Sequence, residues 1–429
     1  MDGNTSNTPT PQTPQPPAPQ TRGRGRHKPA VHTPDSAKTV FQTGKQTHLE
    51  TFTPTNNTSS SHDSTTPHLS PAHQPNKINL LSLFAGCGGL DLGFDLAGKT
   101  PRQPWTFAHQ LLANHTHFTD TPSLINTVYV NDNFPEALAT YQRNHPDSIC
   151  EYDLIDIRKI GTFPAANLVL GGFPCPGFSE GGPRIIDDPR NFLYLHFIRC
   201  IQQTQPEIFI AENVKGLLTI GHGQIFKQIR EDFENAGYTL YHQLVNAKDY
   251  CVPQSRERVI IVGVRKDIPW EYTFPQPHHT PDGNPIFTLD DTIRKFENNP
   301  GPIYQSSYSP MFMSRNRKKR WNDVSFTIQA SGRQTPIHPS GAPMKKISNT
   351  EWQFQGDTNR RISVKEAQTI QTFPEWYDFR VDTTTSNTNI GKAYKQIGNA
   401  VPVMLAYHIA APIITDAHTI FTHLPPPKT

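Results

Sequence analysis

Short apolar runs recur along the chain from Ile78 onward, each followed by a turn signal. "INLLSLFAG", "NTVYVND", "NLVLGGF", "PEIFIAEN" and "RVIIVGV" have the length of strands. Between them stand segments such as "PEALATYQRN" and "GQIFKQIREDFENAG", whose apolar spacing suits helices. This alternation predicts an α/β domain with a largely parallel sheet. In such sheets ligands bind beyond the carboxyl ends of the strands. Gly86, Asp132, Cys175 and Glu212 each fall at or just past such an end, so four chemically able groups are expected along one edge.

After "VIIVGVR" the rhythm stops. The stretch 266–358 is rich in Pro, His, Asn and Arg, with short β-prone pieces such as "VSFTIQASG", and is expected to form a smaller, loop-rich domain. Regular structure returns over 359–415. There Ser363 and Glu366 form the S-x-x-E pattern of a capping box, and "AYKQIGNAVPVMLAYHIAAPII" reads as a loop followed by a final apolar helix on the large domain. The large domain is thus expected over 77–265, with a polar insertion at about 98–125, and a tail over 416–429.

Composition changes the picture mainly at the N-terminus. The chain has 429 residues and 41 prolines, and only 34% of its residues are hydrophobic. Before Ile78 there is neither isoleucine nor tryptophan. Such a segment cannot bury enough apolar surface to offset its ordering entropy, so 1–76 is expected to be a disordered tail. Its "RGRGR" stretch, Arg22 to Arg26, is read as plain disorder over a phosphate or minor-groove contact. A net charge of +3 does not by itself signal a polyanionic partner. Five cysteines without CxxC pairs argue against a disulfide framework and against a structural zinc site, so no metal is expected. With no secretion signal and no apolar run of membrane length, the expectation is a cytoplasmic protein with no membrane partner.

The candidate chemistry sits at the strand ends. "LFAGCGGLDLGF" places a glycine-rich turn before a helix, which suits either a nucleotide-like cofactor or a tight turn. Asp91 stands where the dinucleotide fingerprint needs its third glycine, which tilts the reading away from NAD. Asp132 can accept hydrogen bonds from ribose hydroxyls or cap the next helix. Cys175 lies between two prolines. Pro174 has its own φ locked, and Pro176 pushes Cys175 into extended geometry, so the thiol is aimed rather than packed. Glu212 in "IAENVKG" is a candidate proton donor, since a carboxyl group of raised pKa can give up a proton at neutral pH. Arg256 and Arg258 in "QSRERVIIVG" lie two apart on one face of the incoming strand.

"LFAGCGG", "GGFPCPGFS", "ENVKG", "QSRERVIIVG", "RRISVKEAQTIQTFP" and "KQIGNAVPV" occur in an order that resembles the C5-cytosine DNA methyltransferases. The resemblance covers Ile78 to the C-terminus. It implies a Rossmann-like S-adenosylmethionine-dependent methyltransferase domain with a smaller target-recognition domain. It further implies that Cys175 attacks C6 of cytosine, that Glu212 bonds the N3/N4 edge, and that Arg258 holds O2, with Arg256 beside it in the catalytic group. Phe84, Ala85, Gly86, Cys87, Gly88 and Gly89 would line the S-adenosylmethionine pocket and Asp132 would take its ribose. Asp156 and Ile157 would meet the adenine, and Asn399 and Val401 would complete the pocket. Ser179 would contact the DNA backbone.

The stretch "MFMSRNRKKRWNDVSFTIQASGRQTPIHP" resembles the recognition region of bacterial enzymes that read GGCC. Arginine matches guanine O6 and N7 with two hydrogen bonds, which makes Arg315, Arg317 and Arg333 the expected base readers. Lys318, Lys319 and Arg320 are expected at phosphates. The implied partners are duplex DNA and a cognate restriction endonuclease, with the chain itself a monomer. The chain departs from the family at Pro176, where Gln is usual. It departs again at Asp132 and Asn133, where Glu and an aromatic residue are usual, so a stacking surface is expected to be missing. A tRNA cytosine methyltransferase and a catalytically silent DNA-binding regulator are the rival readings.

Overall fold

The computed structural model describes residues 67–99, 104–112, 121–145, 150–174, 192–278, 285–380 and 386–425. Its centre is a seven-stranded sheet. The strands are β1 (Ile78–Leu83), β2 (Ile125–Asn131), β3 (Glu151–Asp153), β4 (Leu168–Gly171), β5 (Ile208–Val214), β6 (Tyr238–Asn246) and β7 (Glu257–Arg265), ordered β3-β2-β1-β4-β5-β7-β6. The first five in sequence pair in parallel, whereas β7 runs antiparallel to both β5 and β6. All six residues of β1 are buried, as its unbroken apolar run requires of a strand covered on both faces. β6 has no counterpart among the predicted strands. Its exposed and half-buried positions dilute the apolar pattern at the sheet edge.

Leu83 of β1 pairs with Asn131 of β2 and with Gly171 of β4, and Gly171 pairs with Ala211 of β5. The residues that follow these positions therefore leave the sheet along one edge. Chain order reverses between β1 and β4, and that switch point opens the crevice of this fold class.

The helices are α1 (Gly89–Lys99), α2 (Pro104–Leu112), α3 (Pro135–Asn144), α4 (Tyr194–Thr204), α5 (Gln224–Asn235), α6 (Leu289–Ile293), α7 (Pro310–Met313), α8 (Val364–Ile370), α9 (Asn387–Asn399), α10 (Val403–Thr415) and α11 (Ala417–Ile420). α10 packs on α1. Together α9 and α10 are long and apolar enough to cross a bilayer, which the sequence reading did not expect. Their apolar window is 78% buried inside the protein, as befits a core helix. Between β7 and α8 the chain forms short helices, turns and a two-stranded ribbon of β8 (Lys345–Ser348) and β9 (Glu351–Gln353).

Three expected boundaries shift. Residues 67–76, assigned to the tail, lie on the sheet: Ser70 is buried, and its hydroxyl donates to the Val128 carbonyl at 3.3 Å. The backbone N–H of Gln74 donates to Asn79 Oδ1 at 2.9 Å. The rest of the predicted tail lies outside the described residues. The polar insertion contains α2, whose Phe107 stacks on Tyr407 of α10 at 4.6 Å. At the other end, Phe421 and Leu424 are buried, so the core continues past residue 415.

Candidate active site

One cavity of about 900 Å³ opens at the carboxyl edge of the sheet and runs from the turn after β1 to the ends of β5 and β7. Phe84, Ala85, Gly86 and Gly89 line one end; Asp132, Asn399 and Val401 adjoin them; Glu212, Arg256 and Arg258 line the other. The strand-end groups named from the sequence, Gly86, Asp132 and Glu212, do converge. Cys175 and Ser179 lie outside the described residues, but the segment leading to them, Gly172 to Pro174, is part of the wall.

The glycine-rich turn has two constraints that only glycine satisfies. Gly88 has φ +83°, and a Cβ there would come within 2.8 Å of the Tyr141 ring. A Cβ on Gly89 would lie 2.4 Å from the Val401 carbonyl oxygen. Glycine here lets the turn fold tightly against the C-terminal block, which closes the pocket. Cys87 and Gly88 shape the turn without lining the cavity. The buried Cys87 thiol donates to the Gln396 carbonyl at 3.6 Å, and burial pushes its pKa up.

Asp132 is not the cap of α3, whose N-cap is Phe134 without a side-chain cap bond. Asp132 Oδ2 accepts from the Gly86 N–H at 2.8 Å and Oδ1 from the Phe134 N–H at 2.7 Å. The carboxylate ties the β1 turn to the entry of α3 while each oxygen keeps a lone pair for a ligand. Burial raises its pKa, opposed by those two N–H groups and by the charge of Lys395. Phe134, one residue beyond the position where the sequence lacks an aromatic, lines the cavity, and Lys395 sits 3.9 Å from its ring centroid. An aromatic residue therefore still lines the cavity, two positions after Asp132. The aromatic character and position of Phe134 were visible in the sequence; that it lines the cavity was not.

At the far end, Arg258 Nε lies 2.7 Å from Glu212 Oε1. The contact is an ion pair without hydrogen-bond alignment, so that oxygen, 9% exposed as a residue, retains acceptor capacity. The pairing follows from strand direction. β7 is antiparallel to β5, with Val214 opposite Arg258 and Glu212 opposite Ile260, which makes Glu212 and Arg258 diagonal neighbours on one face. Asn213, which the sequence reading did not single out, donates from Nδ2 to the Phe173 carbonyl at 3.1 Å and anchors the segment before Cys175.

Other assignments change. Arg256 is 1% exposed, and its guanidinium donates to the carbonyls of Ile328, Gly398 and Ala400 at 3.2, 3.0 and 3.0 Å. It lines the cavity, but its terminal N–H groups brace the wall, where the Ala400 carbonyl also accepts from Gln371 Nε2 at 3.2 Å. Asp156 and Ile157 are not among the cavity-lining residues. Asp156 caps the turn that follows it and pairs with Arg158 at 2.5 Å, which lowers its pKa to about 2; Ile157 is buried.

Among the expected base readers, Arg315 and Arg333 are exposed, but Arg317 is only 9% exposed. Its Nε donates to the Phe312 carbonyl at 2.9 Å, and its guanidinium lies 4.7 Å from the Phe312 ring centroid. Lys318, expected at a phosphate, is buried and donates to Ser340 and Asn359. Thr327 to Ala330, part of the "VSFTIQASG" piece, form a wall of the cavity itself.

The profile of the family described as C-5 cytosine-specific DNA methylase matches residues 78–415. Over 402 residues the chain is 49% identical to the Type II methyltransferase M.BsuRI of Bacillus subtilis, covering 91% of each chain. It is 54% identical over 350 residues to the Type II methyltransferase M.BspRI of Lysinibacillus sphaericus, covering 80% of this chain and 82% of that one. Among solved structures, the Dnmt2 methyltransferase of S. pombe superposes with a TM-score of 0.51 at 14% identity, over 80% of this chain and 99% of that one. That likeness speaks for the fold alone.

Proposed function

Starting from a chain that belongs to the C-5 cytosine-specific DNA methylase family and uses S-adenosylmethionine, we propose that it methylates the internal cytosine of GGCC in duplex DNA. It does so as the modification partner of a cognate Type II restriction endonuclease, acting as a monomer. The observation that carries this reading is the single cavity joining the glycine-rich turn to the Glu212–Arg258 pair. A methyl donor at one end and a pyrimidine at the other would meet inside it.

The residues fit that donor. The turn at Gly86 to Gly89 opens the N-terminus of α1, whose N–H groups suit a carboxylate. Asp132 has lone pairs for ribose hydroxyls, and Phe84 and Phe134 offer rings to a flat base, with Asn399 and Val401 closing the pocket. S-adenosylmethionine, when bound, supplies an electrophilic methyl carbon.

The target base must leave the duplex, since its ring carbons are unreachable within the stack; unstacking costs a few kcal/mol. Arg258 then holds O2, and Glu212 bonds the N3/N4 edge and assists protonation at N3. Cys175 adds through sulfur to C6, and the displaced electron pair makes C5 nucleophilic. Once C5 carries the methyl group, loss of its proton and expulsion of the Cys175 thiolate restore the aromatic ring. Arg315 and Arg333, both exposed, read guanines, whereas Arg317 is turned inward. Ser179 meets the DNA backbone. The region over 266–358 acts as the target-recognition domain, with Lys319 and Arg320 placed at phosphates.

Bisulfite sequencing of plasmid DNA from expressing cells tests the proposal. The expected result is 5-methylcytosine at the internal cytosine of GGCC and at no other site. Methylation at another motif would overturn the site assignment. Transfer of labelled methyl groups to tRNA but not to duplex DNA would favour the RNA-modifying alternative.

A further inference from the structure

Away from the active-site cavity, three ligand-type side chains from distant parts of the chain converge. One ligand atom each from Cys251, His278 and His408 lies within 4.8 Å of the other two. Cys251 follows the turn before β7, His278 stands on the segment leaving β7, and His408 is on α10. We infer that Cys251, His278 and His408 form a zinc site, with a water as the fourth ligand.

Three observations support the assignment. His408 is buried, and its Nδ1 donates to the Met404 carbonyl one helical turn back at 2.7 Å. That bond fixes the tautomer that leaves the Nε2 lone pair exposed to a cation, as the outer partner of a metal-bound histidine does. Nε2 itself has no hydrogen-bond partner, although it is buried. Orphaned buried nitrogen is costly unless something claims it. Cys251 adopts φ +59°, a backbone region that favours glycine, so the chain keeps a strained side chain at a place where glycine would be free of strain.

The donor set selects the metal class. One thiolate with two imidazoles suits zinc, whose bonds of about 2.3 Å to sulfur and 2.0–2.1 Å to nitrogen place ligand atoms somewhat closer than they lie here. Small side-chain rotations draw them in. On binding, the Cys251 thiol gives its proton to solvent and its sulfur bonds the ion. The ion would then clamp the segment leaving β7 to α10. That segment is already held to α10 by the Tyr272 hydroxyl, which donates to the Ile409 carbonyl at 3.0 Å, and to the turn before Cys251 by the His278 N–H, which donates to the Asp249 carbonyl at 2.7 Å. The sequence offered no sign of the site, because the three ligands share no local spacing.

The full-length protein is purified, dialysed against zinc and then against metal-free buffer, and its zinc content is measured by elemental analysis. A second sample is loaded with Co²⁺ and its absorption spectrum recorded. About one zinc ion per chain is expected, with visible tetrahedral cobalt bands and a thiolate-to-cobalt band in the ultraviolet. Cys251→Gly suits the backbone at that position and is expected to fold and to lose both the zinc and the ultraviolet band. Cys251→Ser, which keeps a side chain of similar shape, is expected to lose the band too. A wild-type protein that retains no zinc, or zinc and band undiminished in both variants, would overturn the assignment.

Discussion

At the residue scale, position relative to the cavity decides which groups can act. Glu212 is held by Arg258 on one side and backed by Gly172 on the other, where a Cβ would lie 3.4 Å from Glu212 Oε2. Glu212→Gln keeps the shape but removes the acid. Single-turnover methyl transfer is expected to fall by about 10²–10⁴-fold while the protein stays folded. Asp91 presents a different case. It is 3% exposed, Tyr141 donates to its Oδ1 at 3.0 Å, and burial raises its pKa. The folded chain therefore holds this proton more tightly than the unfolded chain does. Its contribution to stability falls as pH rises from the ordinary value of 3.8 through the raised folded value. Asp91→Asn cannot ionise, so its melting temperature relative to the parent is expected to climb with pH, and to be highest in neutral and alkaline buffer. A difference that stays flat across pH would show that Asp91 keeps an ordinary pKa.

At the scale of elements, the most legible feature was the start of α8. The S-x-x-E pattern is a reciprocal capping box: the Ser363 hydroxyl accepts from the Glu366 N–H at 3.1 Å, and Glu366 Oε2 accepts from the Ser363 N–H at 2.8 Å. Such caps are local, which is why four residues of sequence suffice to announce them. Less legible is the second task of Glu366. It is fully buried and takes two N–H groups of Arg360, both at 2.7 Å. Ser363→Ala is expected to cost about 1 kcal/mol in chemical denaturation, the usual worth of an N-cap. The strands divide in the same way. Five of the seven were visible as apolar runs, whereas β6 lies half exposed at the sheet edge and shows no such run. The parallel course of the first five strands was expected from the alternation, but the antiparallel course of β7 was not. The antiparallel course of β7 brings its first residues, instead of its last, to the edge where β5 ends, and so sets Arg258 beside Glu212.

At the scale of the whole molecule, a buried polar network joins the sheet, the loop-rich region after β7 and the C-terminal helices. Gln254 accepts from the Ile328 N–H at 2.9 Å and donates to Gln371 Oε1 at 2.9 Å, and Gln371 in turn donates to the Ile397 carbonyl at 2.6 Å. Arg256 spans the same three regions. Arg256→Ala would take the side-chain donor from the buried carbonyls of Ile328 and Gly398, at about 1–3 kcal/mol each, while Ala400 keeps Gln371. A drop in urea midpoint equivalent to at least about 2 kcal/mol is expected, with a loss of activity that tracks unfolding. Arg256→Lys is not expected to restore it, since one ammonium group cannot span three carbonyls the way a planar fork does. A variant that stays stable but inactive would instead return Arg256 to the catalytic group.

The order of motifs, the α/β alternation and the chemistry waiting at the strand ends were all written in the chain, because each depends on near neighbours or on a short period. Packing decided the rest. It turned Arg256, Arg317 and Lys318 inward, left Asp156 and Ile157 out of the cavity wall, brought Phe134 and Lys395 into it, and gathered Cys251, His278 and His408. Burial and convergence belong to pairs of residues far apart in sequence, and no local pattern carries that information.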